Sequence, residues 1–249
     1  MRGMFGRSKS VLSSIFNFAL DHVYGKCKHL LSFDWERLTP SYMDEMCSGN
    51  KSKGSILENC VGFIDDTVRP MCRPGERQRL YYNGHKRIHA LKYQSIVFPD
   101  GIIVFADGPY SGNRHDAGLF RDGGLEEILG TRLKGADGSQ LCFYGDAAYP
   151  GRLFMFGPYK GSSLTSEETF FNGRMSSLRI SVEWSFSKVS TLFAFQSFKQ
   201  NIKLQLQPVG FYFLVATILT NCHTCFYGSE INRYFDSVPP NIEEYLNIH

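Results

Sequence analysis

The sequence lacks an apolar run long enough to cross a membrane. Its longest mostly apolar run, residues 211–219, is about half of the ~20 residues that a membrane-spanning helix requires. We therefore expect this run to form a buried helix or strand, and we expect no membrane partner. The 249 residues, of which 43% are hydrophobic and 14% aromatic, suffice for one ordinary globular domain with an appendage.

The seven cysteines show no regular framework of spacings, and their odd number leaves at least one unpaired. A reducing compartment, the cytosol or the nucleus, is therefore favoured over secretion. Cys222 and Cys225 flank His223 and resemble half of a zinc site, but no second Cys/His pair follows them to complete four ligands. A pair of buried thiols is the simpler interpretation.

Acidic residues are absent before Asp21, and residues 1–26 are rich in serine, as in a mitochondrial transit peptide. An amphipathic helix is the alternative, because apolar residues between Leu12 and Val23 fall near helical spacing. Further short helices are expected at 34–38 and 41–47, before a polar linker at 48–55. Residues 1–58 thus predict a small helical section, a partial helix-turn-helix.

Acids are also scarce between residues 69 and 92, where Glu76 stands alone against seven basic residues. These are Arg69, Arg73, Arg77, Arg79, Lys86, Arg87 and Lys92. Such a run is usually only a solvated face, and it favours nucleic-acid binding only beside further chemistry in the same chain.

Short β-type runs replace the helical pattern from residue 59 onward. Runs at 60–64, 90–98 and 102–106 predict strands, and Asp100-Gly101 predicts a hairpin between the last two. A loop at 107–113, a helix over about 117–129 and a strand at 141–144 follow.

A long helix is predicted from Asn172. Its apolar stripe, at spacings of three and four, consists of Met175, Leu178, Val182, Phe186, Val189 and Phe193. The order of elements predicts an α/β fold, in which residues 59–222 form a ribonuclease-H-like mixed sheet flanked by helices. Residues 223–249 are expected to form a C-terminal tail.

Three acids occupy positions at which a sheet would gather them. Asp65 follows the first apolar run, Asp146 ends the strand at 141–144, and Glu183 lies beside the apolar stripe of the long helix. Charges next to core strands are costly unless they are paired or bound to metal, and carboxylates suit hard cations such as Mg²⁺. The structural alternatives are turn formation by the two aspartates and an ion pair of Glu183 with Arg179.

Asp116 is a rival for the second metal ligand. Because it lies where a helix is predicted to begin, N-capping is the favoured role for its side chain. Asp66 and Asp107 are weaker rivals.

Five short blocks, in order, resemble the PIF/Harbinger-type transposases, which are DDE superfamily endonucleases. They are GFIDDT (62–67); YNGHKR (82–87) with HALKYQ (89–94) and PDG (99–101); GNRHDA (112–117); GDAAYP (145–150); and FNGR (171–174) with RISVE (179–183). The short interval between Asp146 and Glu183 is also typical of this family. Asp66 stands where the family usually has glycine.

This resemblance implies a ribonuclease-H-like fold, a divalent metal cofactor (Mg²⁺ or Mn²⁺) and DNA as the partner. Asp65, Asp146 and Glu183 would then be both the catalytic and the metal-binding residues of a two-metal endonuclease. The predicted DNA-contacting residues are Arg69, Arg73, Lys86, Arg87, Lys92 and Arg179. Arg179 has two possible roles, steering Glu183 or touching a phosphate.

We expect a nuclear location, with the cytoplasm as a second compartment. A homo-oligomer and a separate DNA-binding partner protein are both compatible with the sequence. A domesticated, non-cutting DNA-binding or adaptor protein is the main alternative, because the N-terminal section is short and glycine is missing after Asp65. A mitochondrial metal-dependent phosphatase or nuclease is the third interpretation.

Overall fold

The computed structural model describes residues 5–114, 125–149, 151–194 and 209–248, and its centre is a curled mixed sheet flanked by helices. The strands are β1 Cys60–Pro70, β2 Tyr82–Asn83, β3 Ile88–Val97, β4 Ile103–Ser111, β5 Cys142–Tyr144 and β6 Met155–Phe156. The helices are α1 Lys9–Cys27, α2 Pro40–Ser52, α3 Gln78–Tyr81, α4 Leu125–Arg132, α5 Ser166–Leu192, α6 Val209–Tyr227, α7 Glu230–Phe235 and α8 Ile242–Leu246. The mixed α/β character predicted from the sequence is confirmed.

Strand β1 is the centre of the sheet and has neighbours of both directions. It pairs antiparallel with β3 and parallel with β5, while β3 also pairs with β4 and β2, and β5 pairs parallel with β6. The last pair between β1 and β5 is Phe63 with Tyr144. Beyond it β1 continues to Pro70 beside β3 alone, so one side of its second half is open to other groups.

The two faces of the sheet bury separate cores, as the alternation of side chains along a strand requires. On one face Phe63 belongs to a cluster with Val182 of α5 and Phe213 of α6. On the other face Ile64 belongs to a cluster with Met43 and other residues of α2. The face of β1 that carries Phe63 therefore also looks toward α5.

Several predicted elements are confirmed. The hairpin between β3 and β4 turns at Gly101, whose φ of +83° is accessible to glycine without strain. The strand expected at 141–144 is β5, and the long helix is α5, with the predicted stripe residues Met175 and Val182 buried. Helix α5 begins at Ser166 rather than 172, because Thr165 and Glu168 form a capping box there.

Four local predictions are wrong. The first strand runs to Pro70 instead of ending at 64, and β4 runs to Ser111 through the expected loop at 107–113. A register shift in the pairing of β3 with β4 accommodates the Gly-Pro pair in that edge strand. Residues 34–38 form turns rather than a helix, and most of the expected linker at 48–55 belongs to α2. The helix expected over 117–129 lies partly outside the described residues, and its described part belongs to α4.

Helix α6 contains the apolar run at 211–219, for which a buried helix or strand was expected, and the helix is the alternative that forms. At 19 residues, with a mean hydropathy of 1.4, it is long and apolar enough to cross a membrane, so the argument from the length of that run does not hold. In the structure 61% of this apolar stretch is buried. It packs against α1, α5 and β4, among other elements. This packing accounts for its composition.

Both ends of the described chain pack onto the central unit. Helix α1 lies on α6, where the rings of Tyr24 and Phe211 stack with centroids 4.2 Å apart, and α2 lies on β1. The boundary expected between 222 and 223 falls inside α6. Phe235 and Tyr245 after it are each only 1% exposed. Residues 223–248 therefore pack as part of the same unit rather than extending as a tail.

Candidate active site

The sheet and α5 bring the three predicted acids to one cleft. Asp65 lies two residues beyond Phe63 on β1, and Asp146 lies two residues beyond Tyr144, the partner of Phe63 on β5. Because the two strands are parallel and in this register, Asp146, just after β5, lies beside the part of β1 that carries Asp65. Asp65, Asp146 and Glu183 all line a cleft of about 810 Å³.

Asp65 sits inside β1, not after its end as the sequence suggested. Its backbone pairs with Ser95 of β3, and its side chain is only 14% exposed. Asp65 Oδ1 accepts a hydrogen bond of 2.9 Å from the Asp66 backbone N–H, and Oδ2 accepts one from Arg179 Nη1. These two donors are what permit an acid within a central strand.

Arg179 also approaches the third acid. Its Nη2 lies 3.9 Å from Glu183 Oε1, one helical turn further along α5, and the Glu183 side chain is 58% exposed. The structural alternative for Glu183, a pair with Arg179, is therefore present at long distance. One guanidinium thus contacts an acid of the sheet and an acid of the helix.

The electrostatic environment of Asp65 opposes its negative charge. Burial raises the pKa of Asp65 from its ordinary 3.8 to about 6, although Arg179 and the Asp66 backbone N–H act in the opposite direction. The neighbouring carboxylates Asp66 and Asp146 raise this pKa further. The site therefore favours additional positive charge near Asp65.

The turn that carries Asp146 is tightly built. Asp146 Oδ1 accepts a hydrogen bond of 2.9 Å from the Ala148 backbone N–H, and Gly145 N–H donates to Phe156 O at 2.8 Å. A Cβ at Gly157 would lie 2.9 Å from the Asp146 carbonyl oxygen, so that position requires glycine or a shift of the turn. Asp146 thus caps a turn and faces the cleft at the same time.

A polar pair on the opposite face of β1 was missed in the sequence. Gln94 of β3 is buried, and its Nε2 donates to the Tyr149 hydroxyl at 3.1 Å, which ties β3 to the turn after Asp146. Strand β3 also carries His89, Lys92 and Ser95, so the glutamine did not stand out in the sequence. Its partner Tyr149 lies 55 residues further along the chain, so no local pattern predicts the contact.

Lys92 is one of the predicted DNA contacts, but it is buried. Its Nζ lies 3.1 Å from Asp66 Oδ2 and donates to the Arg114 carbonyl oxygen at 3.2 Å, and the residue is 5% exposed. Lys92 therefore neutralises Asp66 inside the protein, and it reaches a DNA backbone only if these contacts break.

Arg69 is also used inside the protein. Its Nη1 donates to Ser190 Oγ at 2.6 Å, and its guanidinium lies 4.6 Å from the centre of the Phe213 ring. Burial lowers the pKa of Arg69 to about 10. The side chain thus joins β1 to α5 and α6. By contrast, Arg73, Lys86 and Arg87 are exposed, and Lys86 lines the cleft.

Part of the wall of the cleft comes from the segment around β2. Asn83 is buried and donates through Nδ2 to the Gly112 carbonyl oxygen at 3.0 Å, while its Oδ1 accepts from the Lys86 backbone N–H at 2.8 Å. This places Tyr82 and His85 on the lining as well. Asp116, the rival ligand, lies outside the described residues.

The donor set of the cleft fits a divalent cation in its chemistry. Carboxylate oxygens are the ligands that Mg²⁺ and Mn²⁺ prefer, and buried Asp65 needs a positive partner. In this arrangement Arg179 supplies that partner. Within the described residues no three His, Cys, Asp or Glu side chains lie close enough to share one ion. The same holds for Cys222, His223 and Cys225. The two cysteines are half-buried, and burial raises the pKa of each thiol.

A sequence model described as DDE superfamily endonuclease matches residues 64–221, well over half of the chain. The matched range contains all three acids of the cleft. The comparisons with curated proteins and with solved structures returned no match.

Proposed function

The chain belongs to the DDE superfamily endonucleases, and from that premise we propose that it is a divalent-metal-dependent DNA nuclease of the transposase kind. Asp65, Asp146 and Glu183 are its proposed catalytic residues. The observation that carries the proposal is their convergence: three acids from two strands and a distant helix line one cleft of about 810 Å³.

The proposed fold type is ribonuclease-H-like. An antiparallel hairpin follows the central strand, and a parallel strand then pairs with that strand on its other side, which is the order expected for such a sheet. The PIF/Harbinger subtype is proposed from the motifs around Asp65, Asp146 and Glu183.

The proposed cofactor is Mg²⁺ or Mn²⁺, held by Asp65 and Asp146 with Glu183 completing the set. Ions of this kind activate a water nucleophile and stabilise the leaving oxygen of a phosphodiester. Asp65 within β1 and Asp146 just after β5 would hold the ion in the cleft. Glu183, exposed on α5, is the side chain with most freedom to approach it.

The proposed substrate is DNA, as is usual for this family of endonucleases. Lys86 supplies positive charge on the cleft wall, and Arg73 and Arg87 extend it over the exposed surface nearby. Contacts of these residues with phosphates would make binding weaken as salt concentration rises. A nuclear location, a homo-oligomer and a separate DNA-binding partner remain part of the proposal.

The test is cleavage of supercoiled plasmid by the purified chain with Mg²⁺ or Mn²⁺. We expect nicking that disappears with EDTA and with Asp146→Asn. The matched control is Asp236→Asn, an exposed carboxylate paired with Lys53, because surface pairs of this kind contribute little. Equal nicking by Asp146→Asn and by the unaltered chain would remove the proposal.

A second candidate function is a DNA-binding or adaptor protein of transposon origin that no longer cuts. The observation in its favour is that Arg179 already neutralises Asp65, and that no group of three metal-binding side chains is assembled among the described residues. Calorimetry with Mn²⁺ separates the two functions. A nuclease shows an affinity that Glu183→Gln weakens, whereas an adaptor shows none that depends on Glu183.

A further inference from the structure

Arg179 occupies the place at which the cleft most needs positive charge. Through Nη1 it bonds Asp65 Oδ2, and through Nη2 it lies 3.9 Å from Glu183 Oε1. Its side chain is itself 20% exposed, so the guanidinium sits between the sheet and α5 rather than in open solvent. It therefore bridges two of the three acids that the proposed function assigns to metal binding.

The bond to Asp65 is the stronger of the two contacts. Asp65 is largely buried, and a buried carboxylate without a partner is strongly unfavourable. The approach to Glu183 is long, and that side chain is mostly exposed, so it contributes little by itself. The main role of Arg179 in this arrangement is to balance the charge of Asp65.

The same oxygen is needed by a metal ion. Asp65 Oδ2 is the oxygen that faces the guanidinium shared with Glu183, whereas Oδ1 accepts the Asp66 backbone N–H, so an ion held by both acids would compete for Oδ2. Arg179 Nη1 already donates a hydrogen bond to Oδ2. A guanidinium and a divalent ion repel each other, and both cannot hold one carboxylate oxygen in the same direction.

We propose that Arg179 is a positioning residue that acts as an internal counter-ion, holding Asp65 in the metal-free protein and releasing it when a divalent ion binds. This inference rests on the proposed function, since it needs Asp65 to be a metal ligand. It also accounts for the absence of a three-ligand group among the described side chains, because Asp65 is turned to the arginine in the metal-free state.

The proposal is tested by calorimetry that measures the binding of Mn²⁺ to the purified full chain without DNA. Arg179→Gln removes the competing cation, and we expect about tenfold tighter binding, the order of one charge-assisted hydrogen bond. Arg179→Lys keeps the charge but loses the planar fork, and we expect an affinity between the two. If Arg179 instead steers Glu183 toward the metal, Arg179→Gln binds Mn²⁺ more weakly, and the proposal is overturned.

Lys86→Gln is the matched control for loss of a positive charge in the cleft. Lys86 lines the same cleft, and within the described part of the chain its ammonium forms no ion pair with an acid. Its replacement is expected to change the Mn²⁺ affinity less than about twofold. An effect of Lys86→Gln equal to that of Arg179→Gln would show that only long-range charge matters, which overturns the release of Asp65.

Thermal unfolding gives a readout that needs no enzyme activity. In EDTA, Arg179→Gln should unfold at a lower temperature than the unaltered chain, because Asp65 loses its partner, and Mn²⁺ should restore more stability to the variant. If Arg179→Gln does not fold, Arg179→Lys decides the question by the same measurements.

Failure of every variant and of the unaltered chain to bind Mn²⁺ would overturn the proposed function together with this inference. Binding that Asp146→Asn abolishes but Arg179→Gln leaves unchanged would overturn this inference alone.

Discussion

Replacing Asp65 with asparagine should stabilise the metal-free protein at neutral pH. Burial raises the pKa of Asp65 from 3.8 to about 6, so the folded state binds this proton more tightly than the unfolded chain does. The contribution of Asp65 to the free energy of unfolding is therefore most favourable below pH 4. It falls as the pH rises from about 4 to about 6, and above that it stays at its lowest value.

The size of the effect follows from the shift. About two pKa units correspond to roughly 3 kcal/mol of destabilisation at pH 7, where Asp65 is ionised in both states. Asparagine resembles the protonated acid in shape and has no charge. Asp65→Asn should therefore gain up to about 3 kcal/mol at pH 7 and almost nothing at pH 4.

Urea unfolding in EDTA at pH 4 and pH 7, with the unaltered chain at each pH, measures this difference and cancels the titration of other groups. Asp236→Asn is the control, since that exposed side chain should change the free energy of unfolding by less than about 0.5 kcal/mol. A loss of stability in Asp65→Asn at pH 7, or a gain that is equal at both pH values, would refute the reasoning.

Three further predictions concern other parts of the molecule. Lys86→Gln should reduce the slope of log DNA affinity against log salt concentration by about one, the value for one phosphate contact, as measured by fluorescence anisotropy. An unchanged slope would contradict a contact of Lys86 with DNA. Arg69→Gln should leave that slope unchanged but lower the free energy of unfolding by roughly 1–3 kcal/mol, because it removes the contacts with Ser190 and Phe213. Gly101→Ala should destabilise the fold by more than about 1 kcal/mol in urea unfolding, because φ is +83° and the new Cβ would lie 2.2 Å from Ser229 Oγ; an unchanged midpoint would contradict this.

The predictions that succeeded rest on local patterns. The hairpin at Gly101, the strand β5 and the long helix α5 each depend on turn chemistry or on side-chain spacing within a few residues. The match of residues 64–221 confirms the DDE endonuclease superfamily that the ordered motifs indicated, while the PIF/Harbinger subtype stays a proposal. Those motifs contain Asp65, Asp146 and Glu183, which line one cleft in the structure.

The predictions that failed around the cleft concern partners far apart in the chain. Two acids interrupt the apolar run after Ile64, so the pattern ended β1 there. The strand continues because Arg179 offsets the charge of Asp65 and Lys92 that of Asp66. For the same reason the basic residues between 69 and 92 do not form one surface as predicted. Arg69 and Lys92 are turned inward, and Lys86 is exposed.

The sequence by itself determined the hairpin at Gly101, the strand β5, the long helix α5 and the superfamily to which the chain belongs, because turn chemistry, side-chain spacing and ordered motifs depend on neighbouring residues. Only the tertiary structure decided which cation each acid meets. Lys92 and Arg69 are held inside, Lys86 stays on the cleft wall, and Arg179 bonds Asp65 across more than a hundred residues of chain. The physical reason is that the energy of a charge depends on its burial and its nearest partner, and both are set by packing between elements that are distant in sequence.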